Sequence, residues 1–218
     1  MATQLKAILF DLDGTIMDTN ELIIQTFLDA LKGVVPSEFS REHIIPSMGL
    51  PLTKQLQLFS GREQVEDLVL AYREINLRLH DEYVSAFPYV TDVFAKLHEA
   101  GIRIGIVTTK IRLTTERGLR YVGLYDYVEP GAIVTIEDVT HPKPDPEPVQ
   151  RALDALGIEP GEAMMVGDSI VDIQSAEAAG VVSVGVAWSL KGEVVLKESG
   201  ARHIIHDMRD LFALAGLE

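Results

Sequence analysis

Cysteine is absent from the 218 residues. That excludes a disulfide scaffold, a zinc–thiolate site, an iron–sulfur cluster and a cysteine nucleophile. Positive charge is scarce: 19 Lys and Arg stand against 33 Asp and Glu, for a formal net charge of −14. Such a balance disfavours nonspecific binding to nucleic acid or to an anionic membrane. It leaves room for a small anionic ligand, because a local cluster of cations can invert the global field. No apolar run approaches the roughly 20 residues that span a bilayer. The apolar segment in MATQLKAILFDLDGT is too short, and too broken by acids, for a secretory signal, so a cytoplasmic protein is expected. No low-complexity tract or internal repeat stands out. With 47% apolar and 24% charged residues, the chain has the composition of an ordinary globular protein.

What is present is an alternation of short apolar runs with helical patterns. Lys6 to Phe10, Arg103 to Thr109, Ala163 to Gly167 and Val181 to Ala187 read as buried strands, and His203 to His206 as a short last one. Helices are expected over Val90–Ala100, Glu147–Leu156 and Asp172–Ala179, each followed by a glycine that stops it. Alternation of this kind predicts an α/β fold with a parallel sheet covered on both faces. Between about Asp18 and Ser85 the strands vanish. Leu22, Ile23, Thr26, Phe27, Ala30 and Leu31, then Leu68, Val69, Tyr72, Ile75 and Leu79, recur at helical spacing. An all-helical insertion leaving the end of the first strand would stand over the carboxyl ends of the sheet, where open α/β folds bind ligands. The expected division is an α/β core of residues 1–17 and 86–218 and a helical cap of residues 18–85, hinged near Thr15–Asp18 and Ala86–Tyr89.

Chemistry-bearing residues gather at the expected strand ends. FDLDGT places Asp11 and Asp13 on one side of the first strand, with Gly14 free to turn behind them. Paired carboxylates call for a cation, a shared proton or water; alone, the sequence is more often that of a solvated turn. Thr108 and Thr109 end the second strand, with hydroxyls and amides suited to anionic oxygens. Asp168, Ser169 and Asp172 follow the third, where Asp168 or Ser169 is also a plain helix cap. Lys143 lies in the proline-stiffened HPKPDPEP.

DLDGT, the Thr108 strand end, KPDP and GDSIVD occur in the order and context of the haloacid dehalogenase-like phosphatases, and the similarity covers nearly the whole chain. The resemblance implies a doubly wound α/β core with a helical cap, and phosphoryl transfer through an aspartyl phosphate. It implies Asp11 as nucleophile, Asp13 as general acid and base, and Thr108 and Lys143 as phosphate binders. Asp11, Asp168 and the Asp13 backbone carbonyl would hold magnesium, with Asp172 supporting them. TNELIIQTFL, VTTK, IEDVTHPKPDPEPV and GVAWSLKG, the last containing Trp188 and Lys191, are similar to the bacterial pyrophosphatase subgroup associated with HPr serine phosphorylation. That likeness implies inorganic pyrophosphate as substrate, with Thr109, Lys54, Lys110 and Arg112 as candidate partners for its anionic groups. The alternatives are a phosphoglycolate or related monoester phosphatase and, from another class, a phospho-accepting receiver domain. His203 and His206, at an odd separation on a strand, do not suggest a zinc site.

Overall fold

The computed structural model describes residues 5–217. The chain enters the interior at β1 (Ala7–Phe10), where all four side chains are fully buried. After a tight turn comes β2 (Met17–Asp18), then four helices: α1 (Asn20–Ala30), α2 (Arg41–Ile44), α3 (Leu52–Ser60) and α4 (Glu66–Tyr83). β3 (Ser85–Ala86) returns antiparallel to β2, so entry and exit of the helical insertion are hydrogen-bonded to each other. Alternation then resumes with α5 (Val90–Glu99), β4 (Arg103–Val107), α6 (Arg112–Tyr121), β5 (Ile133–Val134), α7 (Glu147–Leu156) and β6 (Ala163–Gly167). It closes with α8 (Ile170–Ala178), β7 (Val182–Val186), α9 (Glu193–Glu198), β8 (His203–Ile205) and α10 (Asp210–Leu214).

The six long-sheet strands are parallel and ordered β5-β4-β1-β6-β7-β8. Successive β1 side chains serve opposite faces, as the two-residue period of a strand requires. Ile8 and Phe10 join Phe94 and Leu97 of α5 and Leu211 of α10 on one face. Ala7 and Leu9 join Val149, Ala152 and Leu153 of α7 and Ala176 of α8 on the other. The fold is therefore doubly wound, and the strand order reverses at β1, between β4 and β6. Such a reversal opens a crevice beyond the carboxyl ends of those three strands.

The insertion has its own apolar centre, in which Ile24 and Phe27 of α1 and Leu31 just after it meet Ile44, Leu56 and Leu68. Phe27 packs against Tyr72 at 4.6 Å between ring centroids and edge-on against Phe59 at 5.2 Å. The α1 stripe divides its work: Leu22 belongs to the sheet-side cluster, and Ile24, not Ile23, is the buried isoleucine. The strand expected over Arg103 to Thr109 stops at Val107, which puts Thr108 and Thr109 in the loop. His206 falls outside β8 and binds Glu193 Oε2 at 2.8 Å. Among the described residues no helix is long and apolar enough to cross a membrane.

Candidate active site

Sheet order alone brings three strand ends side by side. Asp11 follows β1, Thr108 follows β4 and Asp168 follows β6, and β1 pairs with both of the others. The Asp11 amide donates to the Val166 carbonyl at 2.9 Å, so the backbone register extends into the site. Gly14 makes the close approach possible. Its φ is +80°, and a Cβ there would lie 2.8 Å from Asp168 Oδ2. Ser169, not Asp168, caps α8, and the Asp172 carboxylate receives its amide at 3.0 Å and its hydroxyl at 2.5 Å.

Lys143 reaches this focus from the proline loop. Its Nζ donates to Asp11 Oδ1 at 2.7 Å, to Asp172 Oδ1 at 2.5 Å and to the Val107 carbonyl at 2.8 Å. Burial opposes its charge, but Asp11 and Asp172 outweigh that and hold the ammonium above its ordinary value. Burial raises Asp11 well above the ordinary aspartate value; the Lys143 ammonium opposes the rise, and the Asp172 and Asp168 charges add to it. Asp168 is raised as well, first by burial, with Lys191 working against it. The pocket holds more buried negative charge than its lysines offset, which is the electrostatic condition for taking up a cation. Oxygens of Asp11, Asp168 and Asp172 lie within 4.8 Å of one another. Both Asp172 oxygens are already engaged, so Asp11 and Asp168 have the freer ligand atoms. An all-oxygen set of this kind suits magnesium.

Asp13 stands apart from that cluster. Lys110 Nζ bonds its two oxygens at 2.9 and 3.0 Å, and Thr19 Oγ1 donates at 2.7 Å. Asp11, Asp13, Thr108, Thr109, Lys110 and Asp168 form the polar floor of a cavity of about 360 Å³ that the helical insertion roofs. The roof is largely apolar, with Ile23, Leu50, Leu52, Val69 and Leu77, but Tyr72, Arg73 and Asn76 of α4 also line it. Part of the stripe that forms the insertion's apolar centre thus faces the cavity.

Two cations expected near a substrate lie elsewhere. Lys54 is exposed on α3 and does not line the cavity, because Gln55 and Leu56 take the inward positions of that helix. Arg112 opens α6 and turns away to Asp138 Oδ2 at 2.7 Å, the Ile133 carbonyl at 2.9 Å and Glu116 at 3.4 Å. Arg73, which reading the sequence overlooked, lines the cavity, and its side chain has no hydrogen-bond or ion-pair partner among the described residues. Its only sequence signal is that it follows Tyr72 on the helical stripe. Lys191, noted only as part of a similar segment, approaches Asp168 Oδ2 at 3.3 Å.

A doubly wound sheet with an aspartate-bearing β1 end, a buried lysine and an acidic third strand end defines a phosphoryl-transfer class of site. The family description "Haloacid dehalogenase-like hydrolase" matches residues 8–186, and the chain belongs to that family. A Bacillus velezensis protein named pyrophosphatase PpaX is 42% identical over 217 residues, covering 99% of this chain and 98% of its own. One of the same name from Bacillus pumilus is 43% identical over 216 residues, 98% of each chain. A solved Bacteroides fragilis structure, described as a candidate haloacid dehalogenase-like hydrolase, has a TM-score of 0.86 at 29% identity. It covers 95% of this chain and is itself covered completely, at 100%.

Proposed function

We propose that this chain is a cytoplasmic, magnesium-dependent hydrolase that cleaves inorganic pyrophosphate into two phosphates. The observation that carries the substrate is the similarity, at 42% and 43% identity over nearly the whole chain, to two proteins named pyrophosphatase. The observation that supports the chemistry is the buried Asp11 held by Lys143 at the floor of the roofed cavity. Asp11 is the nucleophile. One of its carboxylate oxygens bonds to phosphorus while the bond from phosphorus to the bridging oxygen breaks. Asp13 donates a proton to the departing phosphate, then takes one from the water that hydrolyses the aspartyl phosphate. Lys110 and Thr19 hold Asp13 in place for both transfers. The charge of Lys143, together with the Thr108 hydroxyl and nearby amides, steadies the oxygens of the transferring group. Asp11, Asp168 and the Asp13 carbonyl would hold magnesium, with Asp172 orienting them through Lys143 and Ser169. When bound, the ion offsets the repulsion between carboxylate and phosphate and polarises the phosphoryl oxygens.

In this reading residues 18–85 act as a cap over a core of residues 1–17 and 86–218. Lys110 and Arg73 are the cavity cations available to the second phosphate, in place of Lys54 and Arg112. One second reading is a small phosphomonoester such as phosphoglycolate, whose methylene would meet the aliphatic roof while its carboxylate took Lys110 or Arg73. A panel of pyrophosphate, phosphoglycolate and hexose phosphates with magnesium separates the two. Pyrophosphate is expected to give the highest kcat/KM; a higher value for phosphoglycolate overturns the assignment in favour of the second reading.

A further inference from the structure

A buried lysine on the loop after β7 reaches the acidic cluster and has no part in the scheme above. Lys191 Nζ lies 3.3 Å from Asp168 Oδ2, and both side chains are only 7% exposed. Lys143 acts on Asp168 through its charge alone and makes no hydrogen bond to it. An ammonium carries three donors, and those of Lys143 go to Asp11, Asp172 and Val107. Among the described residues Lys191 is therefore the one ion-pair partner of Asp168.

The loop is tied to the strand end that carries this acid. Ser189 Oγ donates to the Asp168 carbonyl at 2.6 Å and accepts the Lys191 amide at 3.1 Å. One residue before Ser189, Trp188 packs against Phe87 with ring centroids 5.8 Å apart, and the Phe87 amide bonds the Ile16 carbonyl at 3.1 Å. Trp188 thus anchors the loop against the segment that follows β3, and the lysine stem has little freedom to leave.

The geometry points to Lys191 as a positioning residue: it holds the Asp168 carboxylate toward the acidic cluster with a charge of the chain's own, and so sets how tightly the cluster takes a divalent cation. This rests on the reading of Asp11 and Asp168 as cation ligands. A dication that binds there must share Asp168 with the ammonium and is repelled by it at short range. Lys191→Met keeps the stem and removes the charge. Asp168 then lacks its ion pair when no metal is bound, and binds an incoming dication without competition.

The test is magnesium titration calorimetry on the full chain without substrate, together with thermal melts in chelator and in magnesium. Wild type, Lys191→Met and Lys191→Arg are compared. Lys191→Met is expected to bind magnesium roughly ten-fold more tightly. It should melt lower in chelator and gain more from added magnesium than wild type does. Lys191→Arg keeps the charge and should stay near wild type in both. Should Lys191→Met fold only with metal, it can be purified in magnesium and stripped by graded chelator; release at higher chelator than wild type then supports the proposal. Magnesium affinity of Lys191→Met within two-fold of wild type, or weaker, overturns it. A wild type that takes up no magnesium overturns the cation reading together with it. An unresponsive Lys191→Met beside a wild type that binds removes only the role of Lys191.

Discussion

At Asp11, burial and function pull in opposite directions. As the proposed nucleophile Asp11 must be ionised, yet its surroundings raise it well above the ordinary aspartate value of 3.8. A group raised in the folded state binds its proton more tightly there than in the unfolded chain. Its stabilisation is complete below the unfolded value and is lost as pH climbs through the folded one. Without a divalent cation, the Asp11 contribution to stability should therefore fall as pH rises from 3.8 through its raised value, against the opposite trend of carboxylates held low by their partners, such as Glu147 and Asp207. Asp11→Asn removes the charge but keeps the shape. It is expected to abolish turnover, to melt higher than wild type in chelator at neutral pH, and to flatten the decline; Asp168, also raised, keeps part of the slope. Melts in chelator across the pH range check this, and an Asp11→Asn protein that turns over pyrophosphate removes Asp11 as nucleophile. Gly14 offers a second test at this scale. An alanine there meets a φ of +80° and sets its Cβ 2.8 Å from Asp168 Oδ2. The conformation alone costs about 1–2 kcal/mol, and Asp168 must move. Gly14→Ala should lower kcat/KM by roughly 10- to 100-fold, with a stability loss in urea no larger than the conformational cost.

Individual elements explain why some of this was legible before any coordinates and some was not. β1 and β6 are short continuous apolar runs, and their polar ends can be read directly as the rim of a sheet. The acids there converge because of strand order, which a run of residues does not announce but family resemblance supplies. α6 shows the opposite case. Its buried face is Thr114, Thr115, Gly118 and Leu119, so hydrophobic periodicity has almost nothing to register. β5 is two residues long and passes for loop. With α6 unrecognised, Arg112 looked like a free cation beside Thr109, whereas it opens that helix and is spent on Asp138 and Glu116. Lys54 failed for a related reason: residue type gives charge, while direction depends on which face α3 buries. A consequence can be measured. Arg112→Ala should leave the KM for pyrophosphate within about two-fold of wild type. Its half-exposed ion pairs should cost about 0.5–1 kcal/mol in a urea titration. A ten-fold rise in KM would return Arg112 to the substrate.

For the molecule as a whole, the question is how the helical insertion meets the sheet domain it roofs. Each has its own apolar centre, and they are joined through the β2–β3 pair, through Leu22 in the sheet-side cluster and through hydrogen bonds from Arg117 and Tyr121 of α6 to Leu77 and Asp81 of α4. Away from the hinge, Gly49 touches the core. Its carbonyl accepts the Thr109 hydroxyl at 3.2 Å, and a Cβ on it would lie 2.8 Å from Ser169 Oγ. Both neighbours adjoin the strand ends that carry Thr108 and Asp168, so docking of this loop is expected to order the candidate site. Gly49→Ala should hold the insertion away from the core, admit water and weaken the alignment of Thr109. Its φ of +96° means backbone strain would accompany the clash, and Gly33→Ala separates the two effects. Gly33 lies in the same insertion at a φ of +80° with nothing within 4 Å of its would-be Cβ, so an alanine there pays the strain alone. Gly33→Ala is expected to lose about 1–2 kcal/mol of stability and keep wild-type kcat/KM. Gly49→Ala should lose a similar amount of stability and, in addition, at least ten-fold in kcat/KM. Its distance between insertion and core, read by fluorescence with an unreactive pyrophosphate mimic, should stay longer than in wild type. Equal activity in the two variants would mean that the Gly49 contact has no part in assembling the site, and that the insertion acts as a fixed roof.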